Sequence, residues 1–180
     1  MAFLQWPLRG KKSVSQPQVW VRTEAAQTRR RYLEETDYPL PKDEGEKSRL
    51  DFQHHALNLT PGNQYLAPLP QKVRTILDVG SGTGIWPADM ARLFPESLVL
   101  GLDLDTELFS KNVPANCLLR AGNILTGLPL PDAIIEFTHQ RFLVLAIPDE
   151  HWPKVVRELR RSSNVTEFQN WGKITVLPLQ

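Results

Sequence analysis

The feature that most constrains the fold is a run of three glycines at alternate positions, Gly80–Gly84 with the sequence GSGTG. The apolar, β-branched residues at 75–79 that precede it predict a short strand buried on both faces. From Ile85 onward apolar residues recur at helical spacing, and Pro95 predicts the end of that helix. A second apolar run at 97–102 ends at an acid, Asp103. This order predicts a βαβ unit with a ligand site at the carboxyl ends of its strands.

The spacing of the glycines separates two classes of ligand. A dinucleotide fingerprint, G-x-G-x-x-G, requires a third glycine where this chain has Ile85. The chain instead reads D-x-G-x-G-x-G, starting at Asp78. An acid at the strand end would repel a pyrophosphate but suits a ligand with cationic groups, which disfavours a nicotinamide oxidoreductase. Asp103, roughly 20 residues past the glycines, suits the role of accepting hydrogen bonds from both ribose hydroxyls.

This motif resembles motif I of the class I S-adenosylmethionine (SAM) dependent methyltransferases. A second stretch, Y-x-L-P-x-D-x-x-E-x-x-R-L-D-x-Q-H at 38–54, is similar to a fungal and bacterial group of methyltransferases that includes regulators of secondary metabolism. The resemblance extends through H-Q-R-x-L at 139–143 and W-P-x-V-V-R-E-L-R-R at 152–161. It implies an α/β fold, a Rossmann-like doubly wound sheet with an N-terminal helical extension.

The resemblance also implies a cofactor and a set of residues that bind it. The implied cofactor is S-adenosylmethionine, the implied activity is methyl transfer to a small-molecule or protein acceptor, and no metal is expected. A third strand is expected at 116–120 and a fourth at 133–138. The implied cofactor-binding residues follow the first four predicted strands: Asp78, Gly80, Ser81, Gly82, Thr83, Gly84, Trp86, Asp103, Leu104, Asn123, Ile124, His139, Gln140 and Arg141.

Three of these residues have alternative roles. Asn123 replaces the acid that bonds the adenine amino group in similar enzymes; its side-chain oxygen can accept that bond, or it is simply a turn residue. Trp86 either closes over the methionine portion of the cofactor or packs in the core. His139 is the candidate catalytic base because imidazole titrates near neutral pH, and the alternative is a structural partner at the ribose or methionine end.

A helix is predicted before the first strand, starting at Asp43. In similar proteins this helix forms part of a lid over the cofactor. The residues that could then face the cofactor or the acceptor are Tyr38, Glu46, Arg49 and His54. Alternatively, Arg49 pairs with Glu46 on the helix surface and His54 is half buried against the sheet.

Three regions are expected: a basic, partly disordered extension at 1–37, a helical lid segment at 38–70 and the SAM-binding domain at 71–180. Up to Arg31 the extension has seven basic residues against Glu24 alone, a local charge of +6. It is either a contact for nucleic acid, an anionic surface or an import receptor, or a solvated tail. A short helix is expected from Glu24 to Asp37.

Composition and charge exclude several other classes of protein. The 180 residues carry a net charge of +1, which does not indicate a nucleic-acid partner for the whole chain. Cys117 is the one cysteine, which excludes an internal disulfide framework and a Cys-rich zinc site. No apolar run approaches the roughly 20 residues of a membrane span, and the N-terminus lacks the pattern of a secretory signal. A cytoplasmic location is therefore expected.

The resemblance stops after about Arg161. Similar proteins continue with a proline-glycine-glycine turn and further strands, whereas here 173–179 could supply one strand at most. We therefore expect a truncated sheet that lacks its last strands. Such a sheet has an exposed edge that can pair with a second copy, so a homodimer is one expectation. A catalytically inactive SAM-binding or interaction protein is the alternative function.

Overall fold

The computed structural model describes residues 30–33, 38–59, 64–65, 67, 69 and 72–164, together with the backbone of 168–171. Within these ranges the chain forms three α-helices and five strands, in the order α1-β1-α2-β2-β3-β4-α3-β5. The helices are α1 (Glu44–Asn58), α2 (Ile85–Leu93) and α3 (Trp152–Ser162). The strands are β1 (Thr75–Val79), β2 (Leu98–Asp103), β3 (Cys117–Ala121), β4 (Phe137–Arg141) and β5 (Phe168–Trp171).

The five strands form one sheet in the order β3-β2-β1-β4-β5. Every neighbouring pair in this sheet is parallel. After β1 the chain crosses outward to β2 and β3, and it then returns to place β4 on the other side of β1. The strand order therefore reverses beside β1, and a sheet of this kind binds ligands outside the carboxyl ends of its strands at that reversal. The predicted doubly wound, Rossmann-like sheet is confirmed.

Two apolar clusters pack on the two faces of the sheet. On one face, Ile76 of β1 packs with Trp86 and Met90 of α2. On the other, Leu77 of β1 packs with Val155 of α3. Because successive residues of a strand point to opposite faces, one short apolar run supplies both clusters. This is the strand buried on both faces that the sequence predicts.

Local signals set the ends of the first two helices. The Asp43 carboxylate accepts a hydrogen bond from the Glu46 backbone N–H at 3.0 Å, so Asp43 is the N-cap of α1 as predicted. Gly84, with a φ of 76°, stands at the start of α2. That helix ends at Leu93, just before Pro95.

The prediction for the fourth strand is wrong in position. The apolar run at 133–138 suggested a strand there, but β4 starts at Phe137 and includes residues 139–141. The backbone N–H groups of Ala133 and Ile134 bond instead to the carbonyl groups of Arg161 and Ser162 at the end of α3. His139, Gln140 and Arg141 are therefore strand residues and do not follow the strand.

The remaining predictions concern the two ends of the sequence. Strand β5 was not predicted, and the strand suggested at 173–179 lies outside the described residues. The helix expected at 24–37 also lies outside them, except for 30–33, which are not helical. The three-region division at residues 37 and 70 stays a prediction. None of the helices in the described part of the chain has the length and apolar character needed to cross a bilayer.

Candidate functional site

A cavity of about 730 Å³ opens at the carboxyl ends of β1, β2 and β4. Helix α1 and the segment before it cover one side, and the segment after β4 forms another. Most of the residues predicted to bind a cofactor border this cavity: Asp78, Gly80, Ser81, Gly82, Thr83, Trp86, Asp103, Leu104, Asn123, Ile124, His139 and Arg141. The sequence motif and the strand ends therefore meet in one place.

The glycine turn forms the floor of the cavity. Gly80, Gly82 and Gly84 have φ angles of 74°, 58° and 76°, in the region that other residues rarely adopt. The backbone N–H groups of Gly80 and Ser81 both donate to the Leu102 carbonyl, at 2.8 and 2.9 Å. These bonds attach the turn to the end of β2. The glycines thus allow the backbone to pass close beneath a ligand.

Both carboxylate oxygens of Asp103, at the end of β2, accept hydrogen bonds. Its Oδ2 accepts from the Gly82 N–H at 2.8 Å, and its Oδ1 accepts from the Lys42 ammonium at 3.0 Å. Lys42 is only 4% exposed, and its ammonium lies 4.7 Å from the centre of the Tyr38 ring. Lys42 was not identified from the sequence, because nothing in the local pattern before Asp43 marks it as a partner of a distant strand end.

Asp78 and His139 form a buried pair across β1 and β4. Their strands align these two residues, and His139 Nδ1 lies 2.7 Å from Asp78 Oδ1. Since a carboxylate only accepts, Nδ1 carries the proton and donates it. Burial lowers the pKa of His139 from its ordinary value of 6.5, while the bond to Asp78 opposes that shift. His139 is thus a neutral partner that orients the Asp78 carboxylate.

The surroundings of His139 distinguish between its two predicted roles, a catalytic base and a structural partner. Its ring is 1% exposed and stacks on Trp86 with 3.8 Å between the ring centres. Its Nε2 is buried and has no hydrogen-bond partner among the described residues. A general base must reach the proton that it removes, so the geometry favours the structural role over the catalytic one.

Trp86 fits the core-packing alternative. Its ring is buried in the cluster between β1 and α2. Its Nε1–H donates to the Gln64 carbonyl at 2.7 Å, which satisfies the polar end of the indole. Trp86 still borders the cavity through its contact with His139. It supports the ring that orients Asp78.

Arg141 lies at the end of β4, where its guanidinium contacts His54 of α1. Its Nη2 lies 3.2 Å from His54 Nδ1, and His54 Nε2 lies 2.9 Å from Asp89 Oδ2. A guanidinium only donates, so His54 Nδ1 accepts and Nε2 donates to Asp89. Burial lowers the pKa of Arg141, and the nearby Asp78 charge opposes that shift. His54 is fully buried, more deeply than either alternative for it assumed.

Two predicted cofactor residues do not border the cavity. Gln140 points to the other face of β4 from His139 and is fully buried. Gly84 starts α2, and a side chain there would collide with Leu119. Gln140 and Gly84 therefore do not line the cavity in this structure, and their contact with a cofactor stays a prediction.

Asn123 fits its alternative role as a turn residue. Its side-chain oxygen accepts a hydrogen bond from the Leu125 backbone N–H at 2.9 Å. This bond is typical of a turn built by asparagine. Asn123 still borders the cavity, but the oxygen predicted to bind an adenine amino group already has a donor.

Helix α1 covers the glycine turn, and its role as a lid over a cofactor stays a prediction. The Thr83 hydroxyl donates to Asp51 of α1 at 2.6 Å, and the Leu50 side chain lies against Gly82. Arg49 donates two hydrogen bonds to the buried Glu46, at 2.8 and 2.7 Å, as in the paired alternative. Arg49 also borders the cavity, but with its charge neutralised.

An apolar wall follows β4 and was not identified as part of the site. Phe142 has a φ of 58°, a left-handed conformation that is costly for a bulky residue and turns the chain sharply after Arg141. Val144 and Leu145 border the cavity although they are 46% and 62% exposed. The apolar pattern at 142–147 is visible in the sequence, but an apolar run of this length is equally consistent with a short buried helix.

The described residues contain no group of three His, Cys, Asp or Glu side chains arranged to hold a metal ion. The charged groups that border the cavity are two carboxylates, Asp78 and Asp103, and the cations Lys42, Arg49 and Arg141. Such a site can recognise a ligand that carries hydroxyl groups and charges of both signs.

Comparisons with known proteins agree on one family. Residues 76–164 match a family model described as a methyltransferase domain. Methyltransferase pytC of Aspergillus terreus is 32% identical over 123 residues, which cover 67% of this chain and 37% of that protein. The secondary metabolism regulator laeA of Gibberella zeae is 31% identical over 127 residues, covering 68% of this chain and 39% of that protein. The chain thus spans about two fifths of the length of these relatives.

A solved structure shares the fold. It is a complex of the Haloferax volcanii Trm112 methyltransferase activator with a protein described as a methyltransferase. The match has a TM-score of 0.54 and 17% identity, and it covers 71% of this chain and 56% of that one. At this identity the likeness concerns the fold alone.

Proposed function

Because the chain belongs to the class I methyltransferase family, we propose that it binds S-adenosylmethionine and transfers a methyl group from it to a small-molecule or protein acceptor. The observation that carries the proposal is the pair of carboxylates, Asp78 and Asp103, on either side of a positive-φ glycine turn within one cavity. The cofactor has a ribose and a cationic amino-acid end, and these two acids match those two parts.

The residues present fit the cofactor. Asp103 borders the cavity and would accept hydrogen bonds from the ribose hydroxyls, whereas Lys42 is its partner in the free protein. The Gly82 N–H bond to Asp103 keeps that carboxylate in place. The cavity of about 730 Å³ lies within the range of roughly 300–1,000 Å³ that is usual for small-molecule sites.

The bound cofactor would supply a methyl group already activated by its sulfonium. The task of the chain is then to orient donor and acceptor in line and to exclude water, an effect worth up to about 7–11 kcal/mol in favourable cases. The His139–Asp78 pair and the α1 lid supply rigidity on the donor side. Phe142, Val144 and Leu145 supply an apolar surface against which an acceptor can lie.

The test is calorimetric titration of the purified chain with SAM and with S-adenosylhomocysteine. Gly82→Arg fills the turn beneath the ligand and Asp103→Ala removes the ribose acceptor, so we expect both variants to abolish micromolar binding. Asp132→Ala is the matched control, because Asp132 is an exposed acid that pairs with Arg161 away from the cavity. No binding by the folded wild-type protein would overturn the proposal.

Turnover separates the enzyme from the alternative of an inactive binding protein. Protein that binds the cofactor is incubated with candidate acceptors, and the release of S-adenosylhomocysteine is measured. Release that depends on both acceptor and Asp103 supports the transferase. Tight binding without release with any acceptor supports the binding protein.

A further inference from the structure

Arg141 is a cation of the cavity that forms no ion pair with any carboxylate of the described residues. The other lysine and arginine side chains that border the cavity are paired. Lys42 pairs with Asp103 at 3.0 Å. Arg49 pairs with Glu46 at 2.7 Å. Because a half-buried charge without a partner is costly, Arg141 is suited to an anion that enters the cavity.

The Arg141 guanidinium is fixed in its orientation. Its Nη2 donates to the fully buried His54, whose ring is held in turn by Asp89. This contact uses one N–H group, and a guanidinium has five. A planar fork of donors matches the two oxygens of a carboxylate better than a point charge does. A carboxylate is therefore the anion that this geometry favours.

Asp78 does not take the place of that anion. Burial lowers the pKa of Arg141, and the Asp78 charge opposes that shift without forming a salt bridge. Asp78 Oδ1 is bonded to His139, and in the proposed function Asp78 faces the cationic end of the cofactor. An anion from outside the chain must then balance Arg141. The cofactor and the acceptor are the two possible sources.

The apolar surroundings of Arg141 favour the acceptor as the source. The guanidinium carbon lies 5.9 Å from the centre of the Phe142 ring. Phe142, Val144 and Leu145 border the cavity, and each of them is more than 40% exposed. Exposed apolar side chains grouped along one wall of a cavity are typical of a binding site. This wall can bury the apolar body of a ligand whose carboxylate reaches Arg141.

The wall lies beside the glycine turn and on the β4 side of β1. The Leu143 side chain lies against Gly80, where an added methyl group would collide with it. Asn123, the residue considered for the adenine, follows β3, and the order β3-β2-β1-β4 puts β3 and β4 on opposite sides of β1. A ligand on the wall can therefore approach the methyl donor from the side opposite to the adenine.

We propose that the methyl acceptor is an apolar carboxylic acid of low molecular weight. Its carboxylate accepts hydrogen bonds from Arg141, and its aromatic or hydrocarbon body lies on Phe142, Val144 and Leu145. The inference rests on the proposed function, because it names the chemical class of the second substrate of the same site.

The experiment compares two probes of nearly the same shape, 2-naphthoate and its uncharged amide, 2-naphthamide. Their dissociation constants are measured by equilibrium dialysis on protein saturated with S-adenosylhomocysteine. For the wild type we expect naphthoate to bind about ten- to a hundredfold more tightly than the amide, as charge-assisted hydrogen bonds imply. In Arg141→Gln this ratio falls close to one, while the affinity for S-adenosylhomocysteine stays within about threefold of wild type.

Two further variants test the assignment. Arg157→Gln makes the same substitution at an exposed arginine of α3 that does not border the cavity, and the ratio stays as in wild type. Leu145→Ser removes part of the apolar wall, so it weakens both probes by a similar factor of about three to ten and leaves the ratio unchanged. Thermal unfolding of each variant confirms that the protein compared is folded.

The outcomes separate the two proposals. If the folded wild type does not bind S-adenosylhomocysteine, the proposed function fails and the acceptor site fails with it. If the wild type binds this ligand but binds neither probe, or binds both equally, the proposed function stands and the acceptor site is wrong. If Arg141→Gln keeps the preference for naphthoate and loses affinity for S-adenosylhomocysteine, Arg141 serves the cofactor and the carboxylic-acid acceptor is wrong.

Discussion

The Lys42 ammonium lies 3.0 Å from Asp103 Oδ1, in an ion pair that is almost completely buried. This contact joins the segment before α1 to the end of β2, across 61 residues of sequence. Buried charges are stable only when they are paired, so the position of this segment depends on Asp103. The ribose hydroxyls of a bound cofactor would compete with Lys42 for the same carboxylate.

The first prediction is that Lys42→Met destabilises the free protein by about 3 kcal/mol, because it leaves the Asp103 carboxylate buried without its cation. Urea unfolding measures this loss. Saturating S-adenosylhomocysteine should stabilise this variant by more than it stabilises the wild type. In the variant the ligand supplies hydrogen bonds that Asp103 lacks, whereas in the wild type it must first displace Lys42.

Two controls accompany this prediction. Lys47→Met removes a lysine whose exposed partner Glu44 lies 3.6 Å away, and we expect a change below about 0.5 kcal/mol. Adding Asp103→Asn to Lys42→Met should recover part of the stability, since neither charge is then left alone. A Lys42→Met variant as stable as Lys47→Met would show that the buried pair is not formed in solution.

The second prediction is that Gly80→Ala destabilises the fold by about 1–2 kcal/mol, the cost of placing an ordinary residue in the left-handed region. Gly80 has a φ of 74°, and an added methyl group would also collide with the Leu143 side chain. Gly45→Ala is the comparison, because Gly45 lies in α1, where alanine has the higher helix propensity. Urea unfolding that gives equal losses for both variants would contradict the conformational argument.

The parts of the fold that the sequence predicts well are those encoded by adjacent residues. Strand β1, the glycine turn and the start of α2 follow one another without a gap, and each has its own local signal. The N-cap Asp43 is equally local, since its partner Glu46 is three residues away. Such signals do not depend on how the rest of the chain packs.

The errors come from contacts between distant residues. The run at 133–138 has the composition of a strand, but the carbonyl groups of Arg161 and Ser162 take its first N–H groups, so the strand starts later. The contact between Arg141 and His54 spans 87 residues, and no spacing rule could reveal it. The residue types of the site could therefore be predicted, but their partners in distant parts of the sequence could not.

The third prediction concerns pH. Burial holds the pKa of His139 below its ordinary value of 6.5, so between the two values the unfolded chain binds a proton that the folded chain does not. The contribution of His139 to the free energy of unfolding is complete above pH 6.5. It is lost as the pH falls towards the pKa of His139 in the folded protein. In that window the stability should decrease by up to about 1.4 kcal/mol per pH unit for this one group.

Urea unfolding of wild type and of His139→Gln between pH 8 and pH 5 checks this expectation. Glutamine can still donate to Asp78 but cannot take up a proton, so the variant should be less stable at pH 8 and should depend less on pH below 6.5. Parallel pH profiles for the two proteins would show that His139 titrates equally in the folded and unfolded states, and the shift inferred from its burial would be wrong.

The fourth prediction is that Cys117 is inert in the folded protein. It begins β3 with its side chain in the cluster that also contains Val99, and burial raises the pKa of its thiol to about 11. Since the thiolate is the reactive form, a disulfide reagent such as Ellman's should react only after unfolding. At pH 8 we expect less than one tenth of the thiol to react within an hour in buffer, and one thiol per chain within minutes in 8 M urea. Val99→Ala loosens the packing next to Cys117 and should speed the reaction in buffer. Rapid reaction of the wild-type thiol in buffer would contradict the prediction and would mean that β3 opens at the edge of the sheet.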